Sequence, residues 1–398
     1  MRRTLLLLAL ILLPQLAAAQ GSPDTEGIKV PAWGQGVIDS FSEPIHPVVG
    51  GVASGGGLGA GIGYDSPDDR QWYQRAEAMV TIRRYWQLDA EVGRRSLSKS
   101  SQVAVFGTVR HMGRLDYYGI GPDTVFGDRS AFRLRETTFG SRGWFRPAPA
   151  LRLGGSASLY MPDLGTSSRS RVPAIETVFD ASHLSGFEHE PIFGRYRGFA
   201  ELRYPLLPEP LPDEPDHYQG TYQIALEAVR DHDSGRHNFH RWETEVQQII
   251  PGLRPGQRLT LHGFLAATNS GADVPLYMLY TLGGSGGLKS FRPDLIGTDG
   301  TRATLRGYRN FRFRDRDMML MQAEYRIPIV SQVRATVFVD AGQVAPRTSD
   351  LFRNIKTGTG FSLSYVRKNR AVARVDVGYA GDEGVRVFWS FGEFLNNF

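Results

Sequence analysis

Met319-Leu320-Met321-Gln322-Ala323-Glu324-Tyr325-Arg326-Ile327 alternates along its length. Met319, Met321, Ala323, Tyr325 and Ile327 fall on one side, and Leu320, Gln322, Glu324 and Arg326 on the other. A period of two marks an extended strand, whose successive side chains point to opposite faces. The pattern recurs. Trp86, Leu88, Ala90 and Val92 alternate with Gln87, Asp89 and Glu91. Ala335, Val337, Val339 and Ala341 alternate with Arg334, Thr336, Phe338 and Asp340. Ala373, Val375, Val377 and Tyr379 alternate with Arg374, Asp376 and Gly378, and Val385, Val387, Trp389 and Phe391 with Arg386, Phe388 and Ser390.

Alternation alone also fits a soluble sandwich with one wet face. Three features favour a membrane barrel. The strands outnumber those of a sandwich. Aromatics such as Tyr85, Trp86, Tyr379, Trp389 and Phe391 sit near strand ends, as interface girdles do. The chain also opens with an export signal. In a barrel the apolar face meets lipid, the polar face lines the lumen, and closure removes sheet edges that lipid would not tolerate. The expected fold is all-β, a transmembrane antiparallel β-barrel over residues 47–398. At roughly 22 residues per strand and turn it has about 16 strands, each needing ~9–11 residues to cross.

Composition agrees. The 398 residues include 46 Gly, 6 Trp, 16 Tyr and 22 Phe. The absence of Cys excludes a disulfide scaffold, a thiolate zinc site, a cysteine nucleophile and a lipid-modified N-terminal Cys. Arg2 and Arg3, the apolar run 5–13, Pro14 and Ala17-Ala18-Ala19 form a signal peptide over residues 1–19, cut before Gln20. Export places the barrel in the cell outer membrane, with lipid as its first partner. Residues 20–46 form a short periplasmic or lumen segment. The net charge of +5 comes from scattered Arg, not the concentrated basic face that nucleic acid requires, so no nucleic-acid partner is expected.

Beyond the strands, an ordered set of motifs runs from Leu282. It comprises Leu282-Gly283-Gly284, Leu305-Arg306-Gly307-Tyr308, Ala323-Glu324-Tyr325-Arg326 and Asp340-Ala341-Gly342. By alternation Glu324 and Asp340 face the lumen on successive strands, where an unpaired charge is costly. A guanidinium can bridge such carboxylates through its five fixed donors. The set resembles the BamA/TamA superfamily of outer-membrane barrels, the bacterial surface-antigen family. The resemblance covers most of residues 47–398. It implies a long loop folded into the lumen and locked by Arg306 to Glu324 and Asp340, with Leu305, Gly307 and Tyr308 completing the tetrad. The insert over residues 285–304 carries a look-alike, Leu288-Lys289-Ser290-Phe291, so Lys289 is the alternative lumen residue. Trp389, Phe391 and the terminal Phe398 resemble the family's C-terminal assembly signal.

The resemblance implies a protein assembly or translocation factor acting on client outer-membrane proteins. A separate periplasmic partner is expected, because the segment before the barrel is too short for the family's periplasmic POTRA repeats. Gly55-Gly56-Gly57-Leu58-Gly59-Ala60-Gly61 reads as flexible Gly in the first barrel strand, suited to an easily opened seam between first and last strands. The competing reading is a passive channel or structural surface antigen without insertase activity. No enzyme, cofactor or metal site is expected. Ser234 and His232, His237 and His240 read as a polar hairpin tip, with no base placed beside an activated Ser.

Overall fold

The computed structural model describes residues 44–67, 71–98, 100–167, 171–204, 220–284, 305–367 and 370–391. The expected signal peptide, most of the 20–46 segment, Lys289 and Phe398 lie outside them.

Eighteen strands follow one another. They are β1 (Ile45–Gly50), β2 (Gly59–Asp65), β3 (Trp72–Thr81), β4 (Trp86–Arg95), β5 (Ser101–Tyr117) and β6 (Ser130–Ala148). Then come β7 (Leu151–Thr166), β8 (Phe193–Tyr204), β9 (Gly220–Asp231), β10 (Phe239–Pro251), β11 (Arg258–Thr268) and β12 (Tyr280–Leu282). The last are β13 (Phe313–Asp315), β14 (Asp317–Val330), β15 (Val333–Ala345), β16 (Lys356–Arg367), β17 (Arg370–Tyr379) and β18 (Val385–Phe391). All but β12 and β13 form one 16-stranded sheet in chain order, as the sequence predicts. Every paired neighbour is antiparallel, for example Gln322 opposite Asp340 and Ala323 opposite Val339. The sheet curls until β1 meets β18. Among the described residues no helix is long and apolar enough to cross a membrane.

The two faces divide as the alternation requires. Leu88, Val92, Met321, Val337, Val339, Val387 and Trp389 are exposed on the outer wall. Their neighbours Glu91, Gln322, Glu324, Asp340, Arg374 and Asp376 are buried inside. Inward carboxylates are met by guanidinium groups. Glu227 takes Arg195 at 2.7 Å and Arg241 at 2.6 Å, and Glu243 takes Arg197 at 2.7 Å. Such pairing offsets the cost of removing charge from water.

The ends of the barrel differ. At one end most connections are tight, such as 149–150 between β6 and β7 and 331–332 between β14 and β15, with 205–219 between β8 and β9 the long one. The other has the long connections 118–129, 167–192 and 269–316. Short turns mark the periplasmic end and long loops the outside. The loop end is filled. The ribbon of β12 and β13 lies within it, and Leu276, Tyr277 and Met278 join Met112, Phe132, Tyr160 and Phe193 in a buried apolar cluster.

Three expectations need correction. Strand β1 starts at Ile45, two residues before the expected boundary at Pro47. The glycine-rich stretch is not the first strand. Gly55, Gly56 and Gly57 lie in the β1–β2 connection, where Gly55 and Gly57 have φ of 88° and 77°, and only Gly59 and Gly61 enter a strand, β2. A run of positive φ turns the chain rather than extending it. The hairpin tip around Ser234 is also less open than a polar tip implies. His237 is buried, with its Nδ1 2.9 Å from the Asp273 carbonyl oxygen. Asp231 organises the turn, accepting from the Ser234 hydroxyl at 2.6 Å and the Ser234 backbone N–H at 2.9 Å.

Candidate functional site

The site is built by one loop and four adjoining strands. Gly283 and Gly284, with φ of 121° and 103°, turn the chain away from β12, and a lone bridge pairs Gly284 with Leu305. Leu305 is fully buried beside Leu282, Phe313 and Leu320. This apolar anchor delivers the next residue, Arg306, into the lumen wall.

Arg306 has no solvent exposure. Its backbone N–H donates to Asp340 Oδ2 at 3.0 Å and its Nε to the same oxygen at 2.7 Å. Nη2 donates to Asp340 Oδ1, and Nη1 to Glu324 Oε1. The guanidinium carbon lies 3.5 Å from the centroid of the Phe338 ring, so the planar cation stacks on an aromatic face. Donors are spent edge-on against carboxylates while the flat face is covered. A Lys ammonium could not satisfy both demands at once.

The cluster extends further along the wall. Arg374 donates from Nη2 to Glu324 Oε1 at 2.9 Å and from Nε to Asp376 Oδ1 at 2.8 Å. Gln322 donates to Asp340 Oδ1 at 3.2 Å. Two buried guanidinium groups therefore face three buried carboxylates, and neither Arg is left with an uncompensated charge.

Glycine permits the close approach. Gly307 has φ of 100°, and a Cβ there would fall 2.8 Å from both the Ala380 Cβ and the Tyr379 carbonyl carbon. Across the contact, a Cβ on Gly358 would collide with the Arg306 carbonyl oxygen. Loop backbone thus lies directly on strand backbone. Tyr308 packs edge-on against Phe313, with centroids 5.2 Å apart at 65°.

The sequence-predicted residues Leu305, Arg306, Gly307, Glu324 and Asp340 are brought together, with Tyr308 at the rim. Lys289 lies outside the described residues, and the position between Glu324 and Asp340 is filled by Arg306. The C-terminal set is elsewhere: Trp389 points outward from β18, opposite Val375, and Phe391 ends that strand opposite Ala373. Sequence reasoning missed Phe338, Gln322, Arg374, Asp376 and Gly358 as members of the site. Alternation had already put the first four on lumen faces. The missing knowledge was which strands the loop would touch.

Comparison with known proteins follows from this geometry. Residues 234–394 match the Omp85 superfamily domain, a span that contains the whole Arg306 cluster. No curated protein matches the chain. Among solved structures it is similar to BamA from Haemophilus ducreyi lacking POTRA domains 1–3, at 14% identity and a TM-score of 0.58, covering 87% of this chain and 69% of that one. It is also similar to CdiB from Escherichia coli, at 12% identity and a TM-score of 0.56, covering 87% and 62%. CdiB from Acinetobacter baumannii gives 10%, 0.51, 87% and 58%. The chain thus spans about three-fifths of the length of the CdiB proteins. At these identities the structural likeness is one of fold. The chain is thus a barrel of sixteen strands in chain order around a polar lumen, and its residues 234–394, which carry the tetrad loop, match the Omp85 superfamily domain.

Proposed function

We propose that the protein helps other proteins insert into or cross the outer membrane, working at the seam between β1 and β18. One observation carries the reading. Among the described residues β1 and β18 touch but share no ladder pair, whereas every other pair of neighbours in the sheet is laddered. An unpaired edge is a template on which another strand can add. No covalent chemistry is needed. The work is to offer a strand edge in lipid and to give it up again.

In this reading the Arg306 cluster is a lock. It keeps the tetrad loop seated on β14–β17, so that the wall opposite the first hairpin stays rigid while the seam yields. Clients are outer-membrane proteins, and a periplasmic partner brings them to the barrel. A passive channel is disfavoured because buried side chains fill the loop end.

The test is a deletion strain in which folded outer-membrane proteins are quantified against wild type. A selective loss, restored by the intact gene but not by Arg306→Ala at equal levels of folded barrel, supports the reading and names the clients. An unchanged profile would leave the passive channel or surface antigen.

A further inference from the structure

We infer that residues 310–312 of the tetrad loop form a clasp that straddles the seam and holds it shut from outside. The inference deepens the seam reading above and rests on it. It concerns residues beyond the tetrad and its carboxylates.

The clasp starts from a change of side within two residues. Phe311 is buried in the same apolar cluster as Val52 and Ala53 of the β1–β2 connection and Tyr85 at the start of the β3–β4 hairpin. Its neighbour Asn310 lies against the same connection, with Nδ2 3.5 Å from where a Cβ on Gly55 would sit. The Asn310 contact belongs to the first-strand side of the seam, and the Phe311 cluster includes that side. Arg312 adds a contact on the other side of the seam. It donates from Nε to Glu383, in the turn between β17 and β18 on the last-strand side. Its Nη1 and Nη2 donate to the Thr124 hydroxyl at 2.6 Å and the Thr124 carbonyl at 2.8 Å. Rings of Phe313 and Tyr118 flank the guanidinium at 4.7 Å and 5.0 Å. Arg312 is 6% exposed, so these partners are held out of bulk water.

Phe311 is the pivot. Its φ of 56° is left-handed, a region an aromatic residue rarely enters. That turn lets Phe311 stay in the cluster while Arg312 reaches Glu383 on the last-strand side and Thr124 in the β5–β6 connection. Two backbones that do not pair directly are therefore bridged by one strained tripeptide. Ladder hydrogen bonds would make the closure permanent. Side-chain contacts from a strained segment close it reversibly, and release of either side frees the seam.

The test reads the seam without any client, so its failure is distinct from a failure of the assembly reading. The chain has no Cys, so nitroxide labels on Leu58→Cys and Val385→Cys report one distance across the seam. Both positions are exposed. Distances are measured by pulsed electron spin resonance on the full chain in lipid vesicles. Wild type should give one narrow distribution. Arg312→Ala, Glu383→Gln and Phe311→Ala should each add a population longer by about 5 Å or more, one strand spacing. Arg236→Ala, which removes an exposed ion pair elsewhere in the cap, should add none. Glu383→Gln keeps shape and leaves Arg312 its other partners, so it covers the case in which the alanine variants fail to fold. Unchanged distances in folded Glu383→Gln and Arg312→Ala would overturn the clasp, as would equal broadening in Arg236→Ala.

Discussion

The tetrad loop is held on its two flanks by different physics. On the β14–β17 wall a fully buried guanidinium sits between two carboxylates and on an aromatic ring, with backbone against backbone at Gly307 and Gly358. Toward the first hairpin the same loop offers one apolar side chain, one amide and a strained turn. The first flank is costly to break, because either partner left alone is a buried charge. The second breaks piecemeal, because each contact is small and apolar or partly wet. The proposed function needs both, a wall that does not yield and a seam that does.

The comparison can be broken first at the wall. Arg306→Ala strands Asp340 inside the barrel, leaves Glu324 with Arg374 alone, and should cost about 3–5 kcal/mol. The readout is the fraction of heat-modifiable folded barrel, with loop protection from protease alongside. The paired change Glu324→Gln with Asp340→Asn should do comparable damage, since it strands the cation instead. Adding Arg306→Met to that pair should recover part of the loss, because charges removed together leave none unpaired. Folding and loop protection unchanged in these variants would remove the lock.

A smaller effect is expected at the backbone contact. Gly358→Ala places a methyl against the Arg306 carbonyl oxygen and should cost about 1–3 kcal/mol by overpacking, measured by thermal loss of the compact form on gels. Hydrogen exchange should sharpen the contrast between wall and seam. Amides of β1 and β18 should exchange at least about tenfold faster than those of β5 and β6, because local opening follows missing ladder partners. Equal protection would mean that the edges pair in the membrane.

The smallest effect is in the outer cap. Burial alone would raise the Asp273 carboxyl, but hydrogen bonds from Ser185 and Arg236 outweigh it and hold the group below its ordinary range. A lowered folded-state pKa adds stability above the unfolded value of ~3.9, and this is lost as pH falls below it. Protease resistance of the 269–284 loop should therefore weaken below about pH 4, and Asp273→Asn should flatten that step.

Much of the fold was legible, and the reason is local. Period two is written residue by residue, so Leu88 outside and Glu91 inside follow from their neighbours alone. Strand number follows from length divided by the span of a bilayer. The candidate site was legible in part. Arg306, Glu324 and Asp340 could be linked because two lumen carboxylates on adjacent strands demand a cation. Arg374 and Asp376 could not, because they lie 50 and 36 residues from Glu324 and Asp340 along the chain, and nothing nearby in the sequence says that the loop reaches β17. Phe338 shares its strand face with Arg334, Thr336 and Asp340, and only the guanidinium on its ring gives an aromatic residue there a role. The glycines at 55–57 misled for the converse reason, since Gly suits both a yielding strand and a turn, and composition does not distinguish φ signs.

The sequence by itself determined that this protein is a barrel-forming sheet with an apolar outside, a charged inside and a tetrad loop bearing one cation for two acids. Those properties depend on short-range order and on the cost of placing charge in lipid. The tertiary structure alone decided where the loop lands, which residues share its charge, and that among the described residues β1 and β18 meet without a ladder. These depend on contacts between segments far apart in the chain, and on the curvature that sets two distant edges side by side.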